Sequence, residues 1–169
     1  PNAARFNVTT HSPESGILGD ANCGGFFAAA MRKAGFERLV ILGRAEKPSY
    51  LLLEDGKISI LAADGLWGMK SIEAQEQLKA QHGTGTVSAV IGPPGEKLVR
   101  MASIMTGKKN TAGRGGTGAA TLAGDSIVDL GVSVGAEDQE ELGSGVDAGK
   151  FSQRVDGVGR SLAAHLDVT

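Results

Sequence analysis

The sequence has little cysteine, few aromatic residues and no excess of one charge. Cys23 is the single cysteine among 169 residues, so the chain cannot form an internal disulfide or supply a zinc or iron–sulfur site by itself. Lys and Arg number 17 and Asp and Glu 19, which gives a net charge of -2 and no basic excess for nucleic acid. We therefore expect no nucleic-acid partner and a reducing compartment, the cytoplasm.

Long apolar runs are also missing. No run reaches the roughly 18 residues of a membrane span, and no charged-then-apolar leader opens the sequence. The hydrophobic fraction of 41% is nevertheless enough for one domain with a core of its own. Because the first residue is Pro1 rather than methionine, we expect a fragment or a processed piece of a longer protein.

Glycine, by contrast, is abundant. It accounts for 26 of 169 residues, about twice the usual share of roughly 7%. Five of these glycines fall within the stretch NTAGRGGTGAATLAG, residues 110–124. Since each glycine costs conformational entropy on folding, this segment predicts either a set of sharp turns or a surface that touches a ligand closely.

Hydrophobic periodicity and turn residues predict an α+β fold with mixed, largely antiparallel sheets and flanking helices. The predicted strands cover residues 5–10, 39–42, 50–53, 57–61, 87–91 and 127–134. The predicted helices cover residues 26–34, 71–81, 98–105 and 151–162. Asp55-Gly56 predicts a tight hairpin between two of the strands. Residues 11–25 are predicted to form a long loop, and residues 137–145 an acidic connector.

The glycine-rich segment matches a dinucleotide fingerprint only superficially. Gly113, Gly115 and Gly118 satisfy G-x-G-x-x-G, but that fingerprint requires a preceding strand, and a helix is predicted there. Glycine amides can instead form a nest for phosphate oxygens, which Arg114 could contact bidentately. The competing interpretation is a structural glycine loop without a ligand.

A second glycine-rich segment, GDANCGG at residues 19–25, directly precedes a predicted helix. Its amides would lie at the positive end of the helix dipole, although Asn and Gly before a helix are also ordinary capping residues. Two such segments in one small domain favour a shared, phosphate-bearing ligand.

Several stretches in consistent order resemble one family. PNAARFNVTTHSP, GDANCGGFFAAAMRKAGFERLVILGRAEKPSYLLLEDG, GLWG, IGPPGEKLVRMASIM and AGRGGTGA are together similar to the N-terminal domain of the aldehyde ferredoxin oxidoreductases, which are tungsten-pterin enzymes. The resemblance covers roughly residues 1 to 130. It implies a pterin-binding domain over residues 1–135, incomplete at its N-terminus, followed by the acidic connector and closing helix over residues 136–169.

The resemblance implies a bis-pyranopterin cofactor that holds tungsten or molybdenum, with magnesium bridging the pterin phosphates. Asn22 and Thr111 would bind magnesium through main-chain oxygen, which suits a hard cation. Arg5 would bridge the pterin and a nearby 4Fe-4S cluster. The remaining cofactor-binding positions that the resemblance implies are Cys23, Gly24, Asn110, Gly113, Arg114, Gly115 and Gly116.

Two of these positions depart from a simple carry-over. Many members of the family have arginine where this chain has Asn110, so one cationic contact to phosphate is missing. Cys23 is interpreted as a small packed thiol rather than a ligand, because the resemblance gives tungsten no protein thiolate. The glycines are expected to be bare because side chains there would hold the cofactor away.

The implied reaction is oxidation of an aldehyde with water to the carboxylic acid, with electrons passing through the cluster to ferredoxin or another carrier. The cluster ligands and the acid–base residues would come from remaining domains or subunits, and the chain alone is expected to be inactive. A homo-oligomer is possible under the same resemblance. The alternatives are a non-catalytic pterin carrier and a structural domain that has lost its ligand.

Overall fold

The computed structural model of the chain describes residues 5–43, 45–123, 128–133, 152–156 and 163–166. The helices are α1 (Phe27–Lys33), α2 (Ser71–His82), α3 (Gly92–Glu96) and α4 (Thr117–Ala123). The strands are β1 (Arg5–His11), β2 (Leu18–Cys23), β3 (Arg38–Leu42), β4 (Ser49–Glu54), β5 (Lys57–Ala62), β6 (Val87–Val90), β7 (Ile104–Thr106), β8 (Asn110–Ala112), β9 (Val128–Ser133), β10 (Ser152–Asp156) and β11 (Ala163–Leu166). None of the helices in these ranges is long and apolar enough to cross a membrane.

The strands form two sheets. The first has five strands in the order β10-β3-β9-β1-β2, and the second has six in the order β5-β4-β11-β6-β7-β8. The pairs β3–β10 and β4–β11 are parallel, whereas the other neighbouring strands are antiparallel. The predicted fold class, α+β with largely antiparallel sheets, is confirmed.

The main core lies around α1, which contacts strands of both sheets. Along β1 the buried residues alternate with more exposed ones, so Phe6 and Val8 face the core. The ring centroids of Phe6 and Phe27 are 4.9 Å apart, which joins the first sheet to α1. A second, smaller core forms where Ala74 and Leu78 of α2 pack with residues of the second sheet.

Local sequence rules account for the hairpin and for the end of α1. β4 and β5 pair antiparallel around Asp55 and Gly56, both of which have positive φ, as a tight hairpin turn requires. Gly35 has φ +90 just after α1, where a left-handed residue is expected to end a helix. The predictions for these two elements are confirmed.

The predicted loop over residues 11–25 is wrong in its second half. Strand β2 pairs with β1 from His11↔Leu18 to Phe6↔Cys23. The core-facing residues of β2 are the small Gly19, Ala21 and Cys23, so its period of two is hidden by a composition that resembles a loop. Pairing with β1 decides the structure despite weak local preference.

The predicted helix over residues 98–105 is also wrong. The helix lies earlier, at α3, where prolines occupy its first positions, and strand β7 begins at Ile104. Leu98 has φ +55, which no α-helix accepts, and Leu98 and Val99 are about half exposed. The helical spacing of these apolar residues is therefore coincidental.

The predicted closing helix over residues 151–162 is contradicted where the structure describes it. Residues 152–156 form β10, which pairs in parallel with β3, and β11 follows between β4 and β6. These pairings join segments that are far apart in the sequence, so no local pattern reveals them. The acidic connector lies outside the described residues, and the division at residues 135 and 136 stays a prediction.

The core around α1 predicts unequal effects for two adjacent phenylalanines. Phe27 is 1% exposed, whereas Phe26 is 81% exposed. We expect Phe27→Ala to lower the free energy of unfolding by about 3 to 5 kcal/mol, and Phe26→Ala to change it by less than about 0.5 kcal/mol. Urea denaturation of both variants measures the difference, and equal midpoints would contradict this description of the core.

Candidate functional site

The two glycine-rich segments meet in the structure. A Cβ atom placed on Gly115 would lie 3.2 Å from the Cα atom of Gly19, so the two backbones are in contact there. A Cβ atom on Gly25 would lie 2.5 Å from Nδ2 of Asn110, so the Asn110 side chain packs against that glycine. The segments of residues 19–25 and 110–116 therefore lie side by side. We call this junction the seam.

The seam is formed by the edges of two different sheets. β2, which carries Asn22, is the edge strand of the first sheet, and β8, which carries Thr111, is the edge strand of the second. β2 and β8 are in contact. Edge strands leave part of their backbone N–H and C=O groups without strand partners. Main-chain oxygens of this kind are ligands that a hard cation prefers.

A polar network spans the exposed face of β1 and β2 beside the seam. Nη1 of Arg5 donates to Oδ1 of Asn22, and Nδ2 of Asn22 donates to Oδ1 of Asn7. Asn7 and Asn22 are directly paired across the two strands. The structure thus brings Arg5 and Asn22 together. Asn7 was missed, although the alternation of β1 places it on the same face as Arg5.

The glycines along the seam differ in why they carry no side chain. Gly115 and Gly116 have φ +69 and +64, and a Cβ atom on Gly116 would collide with the carbonyl oxygen of Arg100. These two glycines are required by the fold, and their predicted role in lining a cofactor stays a prediction. Gly24 has nothing within 4 Å of an added Cβ atom, and Gly113 has only a Thr111 methyl carbon at 3.5 Å. At Gly24 and Gly113 the fold leaves room that a ligand could use.

An open groove of about 540 Å³ runs along one end of the seam. Its lining includes Gly19 from the first segment and Gly113, Arg114 and Gly115 from the second. Arg114 is exposed and makes no hydrogen bond or ion pair with the residues that the structure describes. Its guanidinium is therefore available to an anion.

Carboxylates also line the groove and were not among the predicted site residues. Glu14 and Asp20 line the same groove as Arg114, and Oδ1 of Asp20 accepts a hydrogen bond from Thr9 at 3.2 Å. Two carboxylates in a groove that holds one guanidinium disfavour a bare phosphate there. If a divalent cation is bound to the phosphate, the carboxylates can interact with the cation while Arg114 interacts with the phosphate.

Cys23 has its side chain in the core rather than on the seam. It is 2% exposed, and its Sγ atom contacts the carbonyl oxygen of Gly24 at 3.4 Å. Burial raises the pKa of the Cys23 thiol, and the positive charge of Arg5 opposes that rise in part. The geometry is that of a packed neutral thiol. Within the described ranges no three His, Cys, Asp or Glu side chains come together as a metal site.

The expectation that no strand precedes the glycine-rich loop is wrong, because β8 precedes it. β8 ends at Ala112 and α4 begins at Thr117. However, β8 has three residues and pairs antiparallel with β7 at the sheet edge. The fingerprint belongs to a parallel βαβ unit. A dinucleotide site is thus excluded on topology.

Comparisons with known proteins agree with this architecture. The family "Aldehyde ferredoxin oxidoreductase, N-terminal domain" matches residues 1–123. The chain is 42% identical over 120 residues to a tungsten-containing aldehyde ferredoxin oxidoreductase of Pyrococcus furiosus, and 40% identical to that of Thermococcus kodakarensis. Each match covers 70% of this chain and 20% of the relative.

A solved structure shows the same fold. The active-site complex BamBC of benzoyl coenzyme A reductase, in complex with 1,5-dienoyl-CoA, superposes with a TM-score of 0.70 at 31% identity. The match covers 77% of this chain and 20% of that chain. The chain thus spans about a fifth of the proteins it matches, and by sequence and by fold it belongs to the N-terminal domain family of the aldehyde ferredoxin oxidoreductases.

Proposed function

We propose that this chain is the cofactor-binding domain of a tungsten-containing aldehyde oxidoreductase. The observation that carries the proposal is the seam, where two glycine-rich segments meet beside the guanidinium of Arg114, which has no partner among the described residues. The similarity to tungsten-containing aldehyde ferredoxin oxidoreductases agrees with it. The net reaction converts an aldehyde and water to a carboxylic acid, two protons and two electrons.

The residues of the seam fit a bis-pyranopterin cofactor with phosphate groups. Gly24 and Gly113 have room where a side chain would otherwise stand, and Arg114 can donate to phosphate oxygens bidentately. When bound, the cofactor supplies the two-electron redox chemistry at its metal, tungsten or molybdenum. The chain's own part is to hold the phosphate ends and to keep Arg5 beside the cofactor through Asn22.

We propose in addition that the seam binds a magnesium ion. Main-chain oxygens of Asn22 and Thr111, on the two sheet edges, are the proposed protein ligands, together with the phosphates of the cofactor. A divalent cation would also offset the carboxylates of Glu14 and Asp20, which otherwise disfavour phosphate in the groove. Asn110 contacts Gly25 and so lies at the same seam. Cys23 is kept in the proposed cofactor site for its backbone alone, because its side chain lies in the core.

The rest of the reaction belongs to parts of the enzyme beyond this chain. We propose that a 4Fe-4S cluster bound there receives the electrons, and that ferredoxin or a similar carrier takes them onward. The compartment that fits this chemistry is the cytoplasm. Aldehyde-dependent dye reduction by the isolated chain would show that the site is complete without those parts, whereas cofactor binding without turnover is what the proposal expects.

Arg114 and Lys109 provide a matched pair for testing the proposed cofactor site. Both are exposed cations on the same stretch of chain, but only Arg114 lines the groove. We expect Arg114→Ala to lower cofactor retention about tenfold through the loss of charge-assisted hydrogen bonds, and Lys109→Ala to leave it unchanged. Tungsten and phosphate per chain, measured after gel filtration, report retention. Equal retention in both variants would count against the site.

Variants of Gly113 and Gly116 distinguish a glycine that a ligand requires from one that the fold requires. Gly113→Val places a side chain in open space, so we expect nearly wild-type thermal unfolding and a loss of cofactor. Gly116→Val combines positive φ with a collision, and we expect it to cost on the order of 3 kcal/mol of stability. Thermal unfolding and metal content are measured on both variants. A Gly113→Val protein that retains its cofactor would show that the backbone there does not approach it.

A further inference from the structure

The polar network on the exposed face of β1 and β2 has a defined order. Nη1 of Arg5 donates to Oδ1 of Asn22, and Nδ2 of Asn22 donates to Oδ1 of Asn7. Arg5 and Asn7 are two residues apart on β1 and therefore share one face of the sheet. The side chain of Asn22 is thus the link between Asn7 and the guanidinium of Arg5.

Asn7 is the most firmly anchored member of this network. It lies on β1, which is paired with β2 on one side and with β9 on the other, whereas Asn22 lies on the edge strand β2. Asn7 is half-buried, while Arg5 and Asn22 are exposed. Its register partner on β9 is Gly131, which has no side chain, so Asn22 is the side chain directly opposite it. The network is therefore held at its Asn7 end.

The amide of Asn22 transmits this order because its two ends are chemically different. Its Oδ1 atom only accepts hydrogen bonds, and its Nδ2 atom only donates them. While Nδ2 donates to Asn7, Oδ1 is turned toward Arg5. Half a turn of the amide would set donor against donor at Arg5 and acceptor against acceptor at Asn7. The acceptor on Asn7 thus fixes which end of the Asn22 amide meets the guanidinium.

The orientation of Arg5 depends on this acceptor. Within the part of the chain that the structure describes, Asn22 is the hydrogen-bond partner of its guanidinium, and no carboxylate forms an ion pair with it. An arginine side chain loses much rotational entropy when it is held in one conformation, so an exposed guanidinium without an acceptor samples several rotamers. Loss of the correct orientation at Asn22 would therefore release Arg5.

We propose that Asn7 is a positioning residue, which holds the Arg5 guanidinium toward the cofactor by fixing the orientation of the Asn22 amide. The cofactor in this statement rests on the proposed function, whereas the action of Asn7 on Arg5 is a property of the chain alone. Asn7 acts through Asn22 and is assigned no contact with the cofactor. The main-chain oxygen of Asn22 keeps its separate proposed role, because only the side chain takes part in the network.

NMR relaxation of the cofactor-free 169-residue chain tests the role of Asn7. The measured quantity is the order parameter of the Arg5 Nε–H group, whose signal is identified by its loss in Arg5→Lys. We expect Asn7→Ala, and Asn7→Leu, which matches asparagine in size but has no acceptor, to lower this order parameter to below about 0.6, the range of flexible groups. Thr9→Val removes the hydrogen bond to Asp20 from the same two strands and should leave the Arg5 signal unchanged.

A double-mutant cycle shows whether Asn7 acts through Asn22. We expect Asn22→Ala to lower the Arg5 order parameter at least as far as Asn7→Ala does, and the double variant to equal Asn22→Ala, because the link is already missing. Effects of the two substitutions that add, or an Arg5 signal that is unchanged in both Asn7 variants, would overturn the proposal.

Cofactor retention distinguishes a failure of this proposal from a failure of the proposed function. We expect Asn7→Ala to lower tungsten per chain about threefold after gel filtration of the loaded protein, with no further loss in an Arg5→Ala background. Full retention in Asn7→Ala would overturn the proposal. A wild-type chain that binds no tungsten cofactor would contradict the proposed function instead, and the relaxation measurements would still decide whether Asn7 positions Arg5.

Discussion

The backbone contact between Gly19 and Gly115 is the constraint on which the candidate site depends. Two sheets packed face to face lie about 10 Å apart, because side chains fill the space between them. At this contact an added Cβ atom on Gly115 would lie 3.2 Å from the Cα atom of Gly19, so the loop after β8 touches strand β2 without an intervening side chain. The positive φ of Gly115 reinforces the requirement for glycine. The contact places the loop after β8 against β2, and β2 and β8 are themselves in contact.

The electrostatics of the seam explain why a metal-bridged phosphate suits it better than a bare anion. Arg114 is the available cation in the groove, and Glu14 and Asp20 are carboxylates in the same lining. A divalent cation reverses that balance and can take main-chain oxygens from the adjoining strand edges. The Arg5–Asn22–Asn7 network then holds a second guanidinium on the adjacent sheet face.

Local rules predicted those parts of the fold that local chemistry decides. The Asp55-Gly56 hairpin, the end of α1 at Gly35 and the α+β class were all predicted correctly. β2 was missed because its small core-facing residues hide its period of two, whereas β10 and β11 were missed because they pair with strands that are distant in the sequence. The helix predicted after Glu96 was wrong because Leu98 has a positive φ, which a leucine in the sequence does not indicate.

The site was predicted in part. The two glycine-rich segments and Arg114 were identified from composition and resemblance, and the structure brings them together. It could not be predicted that Gly115 and Gly116 are needed by the fold while Gly24 and Gly113 are not, because this depends on contacts with Gly19 and Arg100. The most direct measurement is a crystal structure of the cofactor-loaded protein, with anomalous scattering to locate the metal. The account predicts pterin phosphates within about 3.2 Å of the Arg114 guanidinium and the Gly113 backbone, and phosphates bound away from the β2–β8 seam would contradict it.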